Sequence, residues 1–193
     1  MKPRLRSLLF ALLGVTLSAC AGMARPGPAS AGGAPVVATQ TAASPRFIGL
    51  VGPRAQHAPP FLGTPGTNFD CLRSFVDRRT GATVHQLYVA DSYSGAKRDW
   101  NAARNAAGDP LPFLHISTNE ISCEGGCSYA EEFAATIPEK ELRSSPEGLA
   151  VTFTAHSGDK KTILVSGEQV SAQLAALDAE RDIRHDAAAA PRP

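Results

Sequence analysis

Residues 69–90 read FDCLRSFVDRRTGATVHQLYVA, and this stretch decides the fold. Between Phe69 and Asp77, Phe69, Cys71 and Phe75 fall on one parity and Leu72 and Val76 on the other, the two-residue period of a strand. Thr83 to Ala90 is rich in β formers: Val84, Leu87, Tyr88 and Val89. Arg78-Arg79-Thr80-Gly81 separates the two runs as a short turn ending in glycine, so they form a hairpin.

The same rhythm continues downstream. Phe113–Ser122 and Ser128–Ile137 are two further strand-like runs, the second alternating Tyr129, Glu131, Phe133, Ala135 and Ile137. Ala150–His156 and Lys161–Ser166 are two more, joined by Ser157-Gly158-Asp159-Lys160. Between the hairpins, Gly95–Gly108 carries Trp100 and a set of alanines and is expected to be a helix, with Gly108 past its end and Pro110 stopping it. Pro138 and Glu139-Lys140-Glu141-Leu142 suggest a helical turn. Ser166-Gly167-Glu168-Gln169 fits a capping box, and Val170, Leu174 and Leu177 then recur at helical spacing. That amphipathic helix must lay its apolar stripe on the sheet. Hairpins plus two helices predict an α+β single domain, mainly antiparallel, with the C-terminal helix packed on the sheet and the Trp100 helix beside it.

The N-terminus has a different character. Lys2, Arg4 and Arg6 precede an apolar run from Leu8 to Val15, and Leu17-Ser18-Ala19-Cys20 closes the segment. A spanning helix needs about 20 apolar residues, so this run reads as an export signal. The four closing residues resemble the lipobox of bacterial lipoproteins. The resemblance implies that residues 1–19 are removed and that Cys20 is acylated, tying the protein to a membrane through its lipid. Ala21 in place of an aspartate implies, by the same resemblance, the periplasmic face of the outer membrane in a Gram-negative host. The alternative is a soluble periplasmic protein cut near a chance cysteine.

Residues 20–45 are dominated by Pro, Ala, Gly and Ser and are expected to be a disordered tether. Residues 46–67 stay rich in Pro and Gly but include Phe47, Ile48, Leu50, Val51, Phe61 and Leu62, predicting an irregular segment partly packed on the domain. The globular unit is then 68–181, about the commonest size for one domain, and 182–193 is expected to be a disordered tail.

Losing Lys2, Arg4 and Arg6 with the signal turns 19 basic residues into 16, against 18 acidic ones. A nucleic-acid partner, which needs a clustered basic surface, is excluded on that count. Beyond Cys20, the cysteines are Cys71, Cys123 and Cys127. Cys123-Glu124-Gly125-Gly126-Cys127 joins two strand-like runs, so its cysteines flank a hairpin loop in a compartment that permits oxidation. A Cys123–Cys127 disulfide fixing the register is the expectation, with a bridge from Cys71 to either partner as the alternative. Redox work is disfavoured because the thiols neighbour an anion, Glu124, and two glycines oppose a helix. Zinc is disfavoured because Cys71, His85, His115 and His156 show no ligand spacing.

The hairpin Val76–Gln86, with the Cys-Gly-Gly-Cys-like turn, resembles a family of uncharacterised proteobacterial lipoproteins. That resemblance implies no catalytic residue. His57, His85, His115, His156 and His185 share the chain with Asp91, Glu120 and Glu131, yet no nucleophile elbow, phosphate loop or H-E-x-x-H occurs. Tyr88, Tyr93, Trp100, Tyr129 and Phe133 are expected to pack rather than line a groove. No catalytic residue, metal ligand or cofactor is assigned. The expectation is a membrane-anchored envelope lipoprotein that binds an envelope protein or supports an assembly without catalysis. A periplasmic hydrolase using histidine and carboxylate groups is the alternative.

Overall fold

The computed structural model describes residues 36–40 and 46–189. Cys20, the signal and the first part of the expected tether lie outside the described residues. The described residues fold into two antiparallel sheets and two α-helices. The larger sheet is built from β1 (Val37–Gln40), β2 (Phe47–Val51), β3 (Ala55–Gln56), β4 (Phe69–Asp77), β5 (Thr83–Ser94), β8 (Phe113–Ser122) and β9 (Ser128–Ile137). Its order is β1-β2-β4-β5-β9-β8, with β3 also pairing β4. The smaller sheet takes β6 (Trp100–Asn105), β7 (Pro110–Leu111), β10 (Gly148–Ala155) and β11 (Lys160–Ser166) in the order β11-β10-β6-β7. The helices are α1 (Glu139–Arg143) and α2 (Gly167–Ala189). An α+β domain, mainly antiparallel with the C-terminal helix on the sheet, is what the hairpin pattern predicts.

The hairpin at 69–90 forms in the expected register, with Val76 opposite Thr83, Leu72 opposite Leu87 and Cys71 opposite Tyr88. The inward parity of the larger sheet meets two neighbours. Leu72, Leu87, Val89, Phe133, Ala135 and Ile137 pack against Trp100, Ala103, Val151, Phe153, Ile163 and Val165 of the smaller sheet. Phe133 sits at the centre, its ring 4.9 Å from Phe153 and 5.3 Å from Trp100. Beside the smaller sheet, Ala172, Ala176 and Leu177 of α2 pack with Val36, Ile48, Leu50 and Val76. The second layer is thus half sheet and half helix.

Four expectations are corrected. Gly95–Gly108 is not a helix: β6 lies within it, because β10 needs a second neighbour and Ala103 and Ala102 pair with Phe153 and Thr154. Alanine's helix propensity is a weak preference that a ladder of strand pairing overrides. Gly108, at φ 89°, serves the turn into β7, its amide donating to the Asn105 carbonyl at 3.0 Å. Residues 46–67 are not wholly irregular, since β2 alternates outward Phe47, Gly49 and Val51 with buried Ile48 and Leu50 and pairs along β4. The expected tether contains β1, whose Val37 faces Val51 and whose neighbour Val36 is buried. The expected tail begins inside α2, which runs on to Ala189 because the alanines past Asp186 prolong a helix at little cost.

Candidate functional site

Polar groups inside this fold gather in two places, and apolar groups outside it gather in one. The first polar cluster ties the two sheets together at one end. Asp91 on β5 and Glu131 on β9 point into the interface, both almost fully buried. Glu131 accepts hydrogen bonds from the Tyr93 hydroxyl and from the backbone amides of Asp99 (3.0 Å) and Trp100 (3.1 Å). Asp91 accepts from Trp100 Nε1 at 3.1 Å, Arg98 Nη1 at 2.9 Å and Lys161 Nζ. His57 donates from Nε2 to the Ala90 carbonyl at 3.0 Å, and its Nδ1 lies 3.5 Å from Lys161 Nζ. Burial and the Lys161 charge both hold the His57 pKa below the ordinary histidine value. Each acid takes three donors, most of them from β6, β11 and the corner that leads into β6, so the cluster clamps the two sheets together.

The second cluster lies under α2. Gln173 Nε2 donates to Ser74 Oγ at 2.7 Å and to the Leu50 carbonyl at 3.0 Å. With Oγ accepting from Gln173, its own proton goes to His85 Nδ1, 2.8 Å away. That leaves the imidazole proton on Nε2, which faces Glu139 Oε2 at 3.5 Å. Glu139 is held well down, to about 2, by hydrogen bonds from Arg181 and Arg143. Burial lowers the His85 pKa, so the ring is neutral. Serine, histidine and carboxylate therefore stand in the order of a proton relay. Ser74 is 0% exposed and His85 2%, so no substrate carbonyl reaches Oγ in this arrangement.

The remaining sequence candidates are scattered. His115 Nε2 bonds Thr118 Oγ1 at 2.8 Å on the exposed β8, which also carries Glu120. His156 and His185 are exposed; the His156 amide donates to the Asp99 carbonyl at 3.0 Å, at the edge of the first cluster, and its side chain has no partner role in either cluster. Cys123 and Cys127 stand at disulfide distance, S–S 2.12 Å, just beyond the last pair of the β8–β9 hairpin, Ser122 and Ser128. Cys71 is a buried free thiol, pushed up to about 11 by that burial. Among the described residues no group of three or more His, Cys, Asp and Glu side chains could hold a metal ion. A groove of about 430 Å³ opens between the β6–β7 turn and α1, lined by Ala106, Ala107, Pro138 and Lys140 among others.

The outward face of the larger sheet differs from all of these. The strand registers align Phe69, Cys71, Arg73 and Phe75 of β4 with Val84, Gln86 and Tyr88 of β5, and with Phe47 and Val51 of β2. Tyr88 continues through Ala134 to Leu114 at the far edge. Guanidinium groups lie over its rings: Arg54 over Phe69 and Arg73 over Tyr88, each at 4.2 Å, and Arg46 over Phe47 at 5.2 Å. Arg46 is paired with Asp77, while Arg54 and Arg73 form no ion pair among the described residues. Glu132 stands at the Tyr88 hydroxyl and, together with burial, raises the phenol's pKa.

Ser74, Gln173, Lys161, Arg98 and Arg54 are absent from the sequence-level candidates. One signal was available for Ser74: Asp70 and Ser74 alternate with Leu72 and Val76 on the inward parity of β4, polar residues where apolar ones are required. No protein family, curated protein or solved structure matches the chain.

Proposed function

We propose that the protein is a lipid-anchored envelope lipoprotein that works as a non-enzymatic binding or structural module. The observation that carries this reading is the order of the N-terminal signals: basic head, apolar run, then Leu17-Ser18-Ala19-Cys20. Support for a non-enzymatic role comes from how the reactive groups are used. Asp91 and Glu131 are buried clamps between the sheets, each engaged by three donors of the protein, and Ser74 and His85 are enclosed beneath α2. The domain is then a rigid body displayed at the end of an anchored segment. One acyl chain holds only marginally, whereas several hold stably, so acylation at Cys20 decides the location. Metabolic labelling with a radioactive fatty acid in the native host tests it. Wild-type protein should take up label and sediment with membranes, and Cys20→Ala should do neither. A label-free wild-type protein refutes the anchoring.

The second reading, a hydrolase, rests on the Ser74–His85–Glu139 line alone. It requires α2 to leave its seat, after which Ser74→Ala must abolish hydrolysis of a simple ester such as p-nitrophenyl acetate. Turnover unchanged by Ser74→Ala, or none at all, eliminates that reading.

A further inference from the structure

We propose that the outward face of the seven-stranded sheet docks a protein partner that presents carboxylates to Arg54 and Arg73. The inference rests on the binding-module reading and names the surface that does the binding. Four of the nine exposed large apolar residues among those described lie on this one face: Val37 (40%), Phe47 (36%), Val84 (46%) and Leu114 (45%). They come from β1, β2, β5 and β8, so the apolar surface spans the sheet from edge to edge. The four stand on different cross-strand rows, interleaved with Arg73, Gln86 and Thr136, a mixed apolar and polar face of the kind that protein interfaces use.

Composition says what kind of partner fits. The face carries Phe, Tyr and Arg, and among the described residues no lysine lies on it. Aromatic residues and arginine are enriched and lysine depleted at protein–protein interfaces, with tyrosine and arginine prominent among hot spots. A membrane-binding surface is instead polybasic. Charge completes the argument. Stacking over Phe69 and Tyr88 occupies the flat faces of the two guanidinium groups; the exposed Arg54 keeps its in-plane N–H donors for a planar, bidentate acceptor, which a carboxylate provides, while Arg73, with Nε buried, offers its outer Nη edge. The two rings are 5.7 Å apart, so the two cations sit over neighbouring rings. Arg73 is also steadied by its 3.1 Å bond to Gln86, which lowers the ordering cost of binding. Glu132 stands at the Tyr88 hydroxyl and within electrostatic reach of Arg73, so Arg54 is the less compensated cation and draws the partner's carboxylates first.

The test uses the full chain expressed in its native host, with a photo-crosslinking amino acid at Val84 or Leu114. The control is Leu164 on the outer face of the smaller sheet, which is 73% exposed and equally apolar. The expected result is a protein adduct from Val84 and Leu114 and none from Leu164. Combining Arg54→Glu with Arg73→Glu should cut the yield about tenfold or more, the equivalent of about 1.4 kcal/mol. Reversing the acids in the crosslinked peptide of the partner should restore it. Arg54→Gln with Arg73→Gln, which spares the fold from two new anions, should give an intermediate loss, and thermal melts confirm folding of both variants. An adduct indifferent to these charges, or one formed only with lipid, overturns the proposal. An adduct from Leu164 alone overturns it while leaving the binding-module reading standing; no adduct from any position overturns both.

Discussion

Asp70→Asn should stabilise this protein at neutral pH and leave it unchanged in acid, the reverse of what removing a carboxylate usually does. Asp70 lies on the inward parity of β4, 2% exposed, beside Gln169 in the first turn of α2. Burial pushes its pKa up to about 6 from 3.8, against a smaller opposing pull from the Gln169 side chain. The folded state therefore binds the proton more tightly than the unfolded chain. Stability from this group is complete below pH ~4 and is lost as pH rises through about 6. A shift of about two units corresponds to about 3 kcal/mol, a sizeable part of the 5–15 kcal/mol that holds a typical domain. Asparagine keeps the shape and cannot ionise, so the variant escapes this loss. Urea titrations of both proteins at pH 4, 5, 6 and 7 measure it, with unchanged m-values required. The difference in unfolding free energy should be small at pH 4 and grow to about 2–3 kcal/mol in favour of the variant at pH 7. His57 and His85, whose lowered pKa values act in the opposite sense, are common to both proteins and cancel. A difference that stays flat from pH 4 to pH 7 refutes the reasoning, whatever its size.

Glu131→Ala removes the acceptor of the Tyr93 hydroxyl and of two backbone amides, and at about 1–3 kcal/mol per orphaned donor it should cost about 3–9 kcal/mol in denaturant unfolding. Gly148→Ala should fail to fold or lose several kcal/mol by calorimetry, since a Cβ there would sit 2.2 Å from the Val165 carbonyl oxygen at a φ of 109°. Reducing Cys123–Cys127 should cost about 2 kcal/mol or less and leave the circular dichroism spectrum intact, because the closed loop is short. Non-reducing peptide mapping should find that pair alone, and Cys71 should resist alkylation until denaturant is added.

The hairpin at 69–90 was legible because each strand shows its own two-residue period and the turn between them ends in a glycine that stands at φ 79°. The capping box was legible for a similar local reason: Ser166 Oγ accepts from the Gln169 amide at 3.2 Å and Gln169 Oε1 accepts from the Ser166 amide at 2.9 Å. β6 was not legible, because its alanines favour a helix locally and only β10, some 50 residues downstream, requires a strand there. β1 and β2 were hidden for a related reason. A four- or five-residue strand among prolines and glycines has too few apolar residues to declare itself, and pairing holds each one, β1 against β2 and β2 against β4. The second sheet was missed along with β6, so the expected layer of two helices is in fact a sheet beside one helix.

The acids flagged as catalytic possibilities show why residue type alone misleads. Asp91 and Glu131 are buried and surrounded by lysine, arginine, histidine and tyrosine, as many active sites are. The distinction lies in saturation. Glu131 receives three donors and Asp91 receives three, all from the protein, and two of those bonds fix the backbone of the Asp99 corner where φ is 62°. A carboxylate with three of its about four lone-pair sites filled by the scaffold and buried from solvent offers a substrate little access, and its energetic role is to hold that corner and both sheets in one arrangement. On the outward face the logic is inverted. Arg54 and Arg73 are held in place by aromatic faces rather than by acids; Arg73 spends one donor on Gln86 and buries its Nε, while the exposed Arg54 keeps its hydrogen-bonding edge toward solvent. A group that is positioned but unsatisfied is where binding free energy is available, and on this molecule that condition is met on the outside of the larger sheet.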